Sequence, residues 1–177
     1  MKILILSCSL SSASKSRLLA EAARAAGQAK GLTVEWADLR DFPLPLCDGE
    51  KAYGDPHVAR LRGMIEGATG LVVAAPIYNY DVNAAAKNAI ELTGSAWENK
   101  AVAFLCAAGG QSSYMSVMSL ANSLMLDFRC VIVPRFVYST PAAFSGGAIV
   151  DPKVRERILH LVDDLCAVAA TSRSTAE

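Results

Sequence analysis

Short apolar runs alternate along this chain with longer stretches of helical spacing. Lys2–Ser7 holds four apolar residues in a row, Ile3 to Leu6, closed by a serine, the pattern of a buried strand. From Ser14 to Lys30, Leu18, Leu19, Ala22, Ala26 and Ala29 recur at helical spacing, and Gly31 supplies a C-terminal stop. Leu32–Ala37 reads as the second strand, followed by the Pro- and Gly-punctuated loop RDFPLPLCDGEKAYGDP. A helix is predicted over Pro56–Ala68, capped by Asp55 with Pro56 at its first position. Gly70–Pro76 is the third strand, and a helix follows from Asn83 to Thr93. The fourth strand is Ala101–Ala108 and the next helix Gln111–Leu126. A fifth strand, Cys130–Ser139, is interrupted by Pro134 and is therefore expected near a sheet edge. Pro152–Ala170 closes the pattern as a helix, with a polar tail over 171–177.

Strict alternation of strand and helix predicts a parallel sheet covered by helices on both faces. Five strands in this length suit an α/β, flavodoxin-like three-layer fold, a five-stranded parallel sheet in the order 2-1-3-4-5, as one domain over 1–170. Ligands of such sheets sit beyond the carboxyl ends of the strands, at the switch point. The loops after strands one, three and four are thus the candidate site.

Composition narrows the partners. Lys plus Arg and Asp plus Glu number 17 each, which gives no electrostatic reason to expect nucleic acid or an anionic membrane. The apolar run after Lys2 is broken at Ser7, short of the roughly 7–15 residues of a signal's apolar region. No stretch approaches the roughly 20 apolar residues of a membrane span. The five cysteines are scattered and mostly flanked by apolar residues, as expected of reduced, buried thiols in a cytoplasmic protein.

The first loop is crowded with hydroxyls. Ser9, Ser11, Ser14 and Ser16 lie where a helix N-terminus offers unpaired N–H groups and partial positive charge, with Lys15 or Arg17 adding a cation. Hydrogen bonds to a charged group contribute roughly 1.5–3 kcal/mol each, so several can hold a phosphate without a metal. Helix capping accounts for Ser14 but not for its neighbours. Cys8 raises a rival, because low-molecular-weight tyrosine phosphatases carry a cysteine at this point of a similar sheet. Their loop needs an arginine six positions later, where this chain has Ser14. Neither G-x-x-x-x-G-K-[ST] nor G-x-G-x-x-G occurs.

The third-strand loop reads APIYNYDVNAAAKNAIEL. Pro76 and Ile77, ahead of an aromatic Tyr78-Asn79-Tyr80 turn, offer apolar contact to a flat ring, and Asn79 with nearby N–H groups can bond its polar edge. Here the chain resembles the NAD(P)H-dependent FMN reductase family, whose members show P-x-Y-N, a short spacer with small residues, and L-K-N-A-I-[DE]. The match falls on Pro76, Tyr78, Asn79, Lys87, Asn88, Ile90 and Glu91. SLSSASKSRLL is similar to that family's phosphate loop, notably in reductases that serve sulfonate-degrading monooxygenases, LRDFPLPL to the segment after its second strand, and AGG to its fourth-strand loop. Many members have Glu at Ile77, an Arg near Ser11, and Pro-Gly at Asn83-Ala84. The missing arginine removes one anchor for FMN, which leaves open whether flavin is a fixed group or a dissociable substrate.

The resemblance implies FMN and NAD(P)H as cofactors, with hydride passing from nicotinamide to flavin N5 and then to free flavin, a quinone, an azo compound or a similar small-molecule acceptor. It also implies a homodimer or homotetramer, for which Phe136–Phe144 is a candidate contact strip or ordinary core. Gly109, Gly110 and Gln111 sit where the fourth-strand loop would meet the flavin edge, glycines allowing close backbone approach unless they merely serve a tight turn with positive φ. N–H groups at a following helix N-terminus would stabilise the charge of reduced flavin. Tyr114 either reaches the ring face or packs on its helix. No side-chain acid or base is required, and His57 and His160 read as surface residues. Two readings from other classes compete: a flavodoxin-type electron carrier, and a flavin-free interaction module.

Overall fold

The computed structural model describes residues 1–171, so the expected tail beyond Thr171 lies outside the described residues. The sheet is built from β1 (Lys2–Ser7), β2 (Thr33–Asp38), β3 (Gly70–Tyr78), β4 (Asp81–Val82), β5 (Ala101–Ala107), β6 (Val131–Ile132) and β7 (Val137–Ser139). Its spine runs β2-β1-β3-β5-β6 in parallel, the flavodoxin-like order, with β7 pairing β5 in line with β6. Two details differ from five continuous strands. The fifth strand is two pieces, because Pro134 has no N–H to donate and Arg135 takes a left-handed φ of 64°. The third strand runs two residues past Pro76 and folds back into β4, the one antiparallel pairing of this sheet.

Helices α1 (Lys15–Ala29), α2 (Pro56–Gly67), α3 (Ala84–Thr93), α4 (Met118–Phe128) and α5 (Pro152–Thr171) cover the two faces. Side chains alternate across a strand, so each strand feeds two cores. Leu4, Leu6, Leu71, Val73, Val102 and Phe104 face the α2–α3–α4 side. Ile3, Ile5, Val72, Ala74, Ala103 and Leu105 face α1 and α5. Gly27 lets α1 lie close to the sheet, since a Cβ there would meet Val34 at 3.0 Å and Ile3 at 3.2 Å.

Local signals set the helix ends. Ser14 caps α1, and Asp55 caps α2 with Pro56 in the first turn. Gly31, at φ 72°, donates to Gln28 while Leu32 donates to Gly27, a Schellman ending. The helix expected from Gln111 starts later: Tyr114–Val117 is a 3₁₀ turn and α4 begins only at Met118. A last hairpin, β8 (Phe144–Ser145) with β9 (Ala148–Ile149), turns at Gly146-Gly147 before α5. Within Phe136–Phe144, Val137, Tyr138 and Ala143 are buried in the core, while Phe136 and Phe144 are half-buried. No described helix is long and apolar enough to cross a membrane.

Candidate functional site

The loop from β1 into α1 holds its serines in a chain of local bonds. Ser9 Oγ accepts from the N–H of Ser11 at 3.3 Å, and Ser11 Oγ from that of Ala13 at 3.3 Å. Ser14 Oγ accepts from the N–H of Arg17 at 3.1 Å. In each bond the oxygen accepts, which leaves the hydroxyl proton free to donate elsewhere. One of the four protons is used between Ser14 and Ser16, 3.0 Å apart, leaving three for an outside acceptor. The first-turn N–H groups of Lys15 and Ser16 also lack an intrahelical acceptor.

Of the two cations named for this loop, only Lys15 faces the same cavity as the serines. Arg17 turns its guanidinium to Asp38 at 3.0 Å and Glu21 at 2.9 Å. Asp38 is buried at the end of β2 and is also held by Arg40 at 2.9 Å. Burial pushes its carboxyl above the usual range, partly opposed by Arg17. Cys8 is fully buried, and desolvation, with Asp38 and Cys106 adding, drives its thiol far above the ordinary range. A thiol so held is no nucleophile, which removes the phosphatase alternative on physical grounds.

The loop after β3 is a two-residue hairpin turn. Asn79 and Tyr80 have φ of 51° and 65°, as a type I′ turn requires of both central residues. Asparagine tolerates that region, but Tyr80 is strained there. Its hydroxyl lies 3.3 Å from Ser112 Oγ, so the turn is anchored to the loop after β5. Tyr78 and Tyr80 are both exposed, with Pro76 and Ile77 buried beneath them.

After β5 the chain passes through Ala108, whose N–H donates to Ser139 at 2.9 Å, to Gly109 and Gly110. Tyr138 donates its hydroxyl to the Gly110 carbonyl. Neither glycine has positive φ, so no turn demands them. A Cβ at either would meet nothing within 4 Å, so the space over this backbone is open. Because α4 starts at Met118, these N–H groups are not at its N-terminus, and the helix-dipole part of the expectation fails. Tyr114 packs on Phe136 and Tyr138, at 4.9 and 5.4 Å between ring centroids.

These three loops line a single cavity of about 810 Å³, within the range typical of cofactor sites. Ser9, Ser11, Ser14, Lys15 and Ser16 form its hydroxylic wall, Pro76 to Tyr80 a second, and Ala107 to Gly110 a third. Gln111 is exposed and does not line it. Ser113 and Pro141 do line it and were not anticipated. Ser113 enters because the 3₁₀ turn delays α4, and Pro141 because β7 lies beside β5; neither position carries a local signal. The donor set fits a phosphate, and the open strip along Gly109-Gly110 fits a planar ring.

A profile of NADPH-dependent FMN reductases matches residues 1–144. The chain belongs to that family. Among its relatives is an NAD(P)H-dependent FMN reductase of Pseudomonas aeruginosa, 32% identical over 136 residues, covering 72% of this chain and 74% of that one. A probable NADPH:quinone oxidoreductase of Oryza sativa is 27% identical over 148 residues, covering 78% and 73%. The fold is similar to that of FerB, a flavoenzyme NAD(P)H:(acceptor) oxidoreductase of Paracoccus denitrificans, with a TM-score of 0.78 at 20% identity over 97% of this chain and 98% of that chain. As a member of the FMN reductase family, this protein is a flavin-dependent oxidoreductase using FMN and NAD(P)H. Among the described residues no group of His, Cys, Asp and Glu is arranged to hold a metal.

Proposed function

We propose that the chain is a single FMN-binding domain over residues 1–170 in which Ser9, Ser11, Ser14, Ser16 and Lys15 bind the flavin phosphate. Pro76, Ile77, Tyr78 and Asn79 then contact the ring, and Gly109 and Gly110 approach its polar edge. The observation that carries this reading is the convergence of all three loops on one cavity, with three hydroxyl protons left for an acceptor. Bound FMN supplies the redox chemistry, accepting from nicotinamide and donating onward. The protein's residues bind, orient and shield it. The serine wall fixes the phosphate and hence the depth of the ring. The strained Asn79-Tyr80 turn holds an apolar surface against it. The electron acceptor in this proposal is a quinone, an azo compound or free flavin, supported by the names of relatives.

A homodimer or homotetramer belongs to the same proposal. Exposed Leu10 and Leu46 border an apolar groove with Phe42 and Leu44 beside the site, which supports a subunit contact there. The five free thiols support a cytoplasmic location.

The test is a titration of flavin-stripped protein with FMN and riboflavin, followed by anaerobic addition of NADPH or NADH and then of a quinone. Much tighter binding of FMN than of riboflavin, with bleaching by the nicotinamide and recovery with quinone, is the expected result. Equal binding of the two flavins would remove the phosphate assignment. Binding without bleaching would favour an electron carrier.

A further inference from the structure

A second cavity, of about 520 Å³, borders the first, and Ala13, Ser14 and Lys15 line both. Its other walls come from the opening turns of α1, through Arg17, Leu18 and Glu21, and from the β8–β9 hairpin, through Phe144 to Gly147. The hairpin turns on two glycines with φ of 54° and 76° and joins the body of the fold through Phe144, which packs against the core beneath α1 and α5. Phe144 is half-buried and lines this cavity. Arg17 is fixed by Glu21 and Asp38, whereas Lys15 makes no ion pair among the described residues and stands where the cavities meet.

We infer that this second cavity takes the adenosine monophosphate half of FAD, so that the chain binds FAD through the same serine loop that holds FMN. The inference rests on the first cavity being the FMN site. FAD is FMN extended through its phosphate by a second phosphate, a ribose and adenine. With FMN's phosphate at the serine wall, the extension leaves at the segment Ala13–Lys15, which the second cavity shares. Lys15 there neutralises the added phosphate, the serine hydroxyls of the loop remain donors, and Phe144 offers the adenine a face to stack on. The volume suits a nucleoside phosphate.

Calorimetric titration of the flavin-stripped full chain with FMN, FAD and riboflavin tests this, alongside Phe144→Leu and Ser145→Trp. The first keeps apolar packing and loses the stacking face; the second fills the cavity from an exposed hairpin position. FAD is expected to bind the wild type at least as tightly as FMN. Phe144→Leu should weaken FAD by about five- to tenfold, the lower part of the range for base–aromatic stacking. Ser145→Trp should weaken it by more than about tenfold, with FMN within about twofold in both variants. FAD binding far weaker than FMN in the wild type, or equal shifts for both flavins in both variants, overturns the inference while leaving the FMN site standing. So does unchanged FAD affinity with a raised NADP⁺ dissociation constant, which would give the cavity to the nicotinamide cofactor. Failure of FMN itself to bind would remove both proposals together.

Discussion

The side-chain amide of Asn83 donates to the carbonyl oxygen of Cys8 at 2.8 Å, across 75 residues of sequence. Asn83 stands at the N-cap position of α3, yet its side chain does not cap that helix. Its own N–H donates to Pro76 at 3.1 Å, and its Oδ1 is buried without a partner. An asparagine that forgoes a cap and leaves an acceptor unpaired loses local stability. In return one side chain joins the start of the phosphate loop to the end of the ring loop. A proline at this position would have no side-chain amide to make this bond.

Asn83→Ala should therefore act on both loops at once. The Cys8 carbonyl loses its buried donor, and we expect a loss of about 1–3 kcal/mol in denaturant unfolding. FMN affinity should fall with it, because the two walls of the cavity are no longer fixed to each other. Unchanged stability and affinity would show that the backbone bond from Asn83 to Pro76 suffices.

Ser9→Ala combined with Ser11→Ala removes two of the proposed phosphate donors. Each hydrogen bond to a charged group is worth about 1.5–3 kcal/mol, so the FMN dissociation constant should rise at least about a hundredfold. Riboflavin, lacking the phosphate, should bind as before. A parallel loss for both flavins would mean that the serines shape the loop rather than hold the anion.

Gly110→Ala separates stability from binding. Its Cβ would meet nothing within 4 Å and its φ is not left-handed, so unfolding of the flavin-free protein should be unchanged or slightly harder. If the ring edge approaches this backbone, the added methyl weakens FMN or slows its reduction. Unaltered flavin binding would place the ring elsewhere in the cavity.

Thiol chemistry offers a test that needs no flavin. Burial pushes Cys106 up to about 12 and Cys130 up to about 11, and Cys8 higher still. Below pH 9 these three should react with a disulfide reagent only on unfolding. Half-buried Cys47 should react first in the native protein, ahead of Cys166, whose pKa is raised by burial and Asp163. Rapid modification of Cys8 at neutral pH would contradict its burial and reopen the nucleophile question.

Much of this arrangement was legible before folding. Alternating apolar runs and helical repeats gave the layers, because burial on both faces leaves few other patterns for a strand. Ser14, Asp55 and Gly31 announced helix ends, because capping joins residues only a few positions apart. The serine loop and the P-I-Y-N segment announced the site for the same reason: each is one contiguous stretch. What remained hidden depends on contacts between distant segments. The turn at Asn79-Tyr80 needs positive φ at a tyrosine, which no propensity suggests, and it is anchored to Ser112. The late start of α4 brings Ser113 to the cavity and leaves Gln111 outside it. The β8–β9 hairpin becomes a wall only because it comes to rest against α1. The Asn83–Cys8 bond exists only once β1 and β3 lie side by side in register, Leu6 beside Val73 and Ser7 beside Ala74. Periodicity and capping act over a few residues and are written locally; the joining of loops is set by strand order and register, which only the folded sheet supplies.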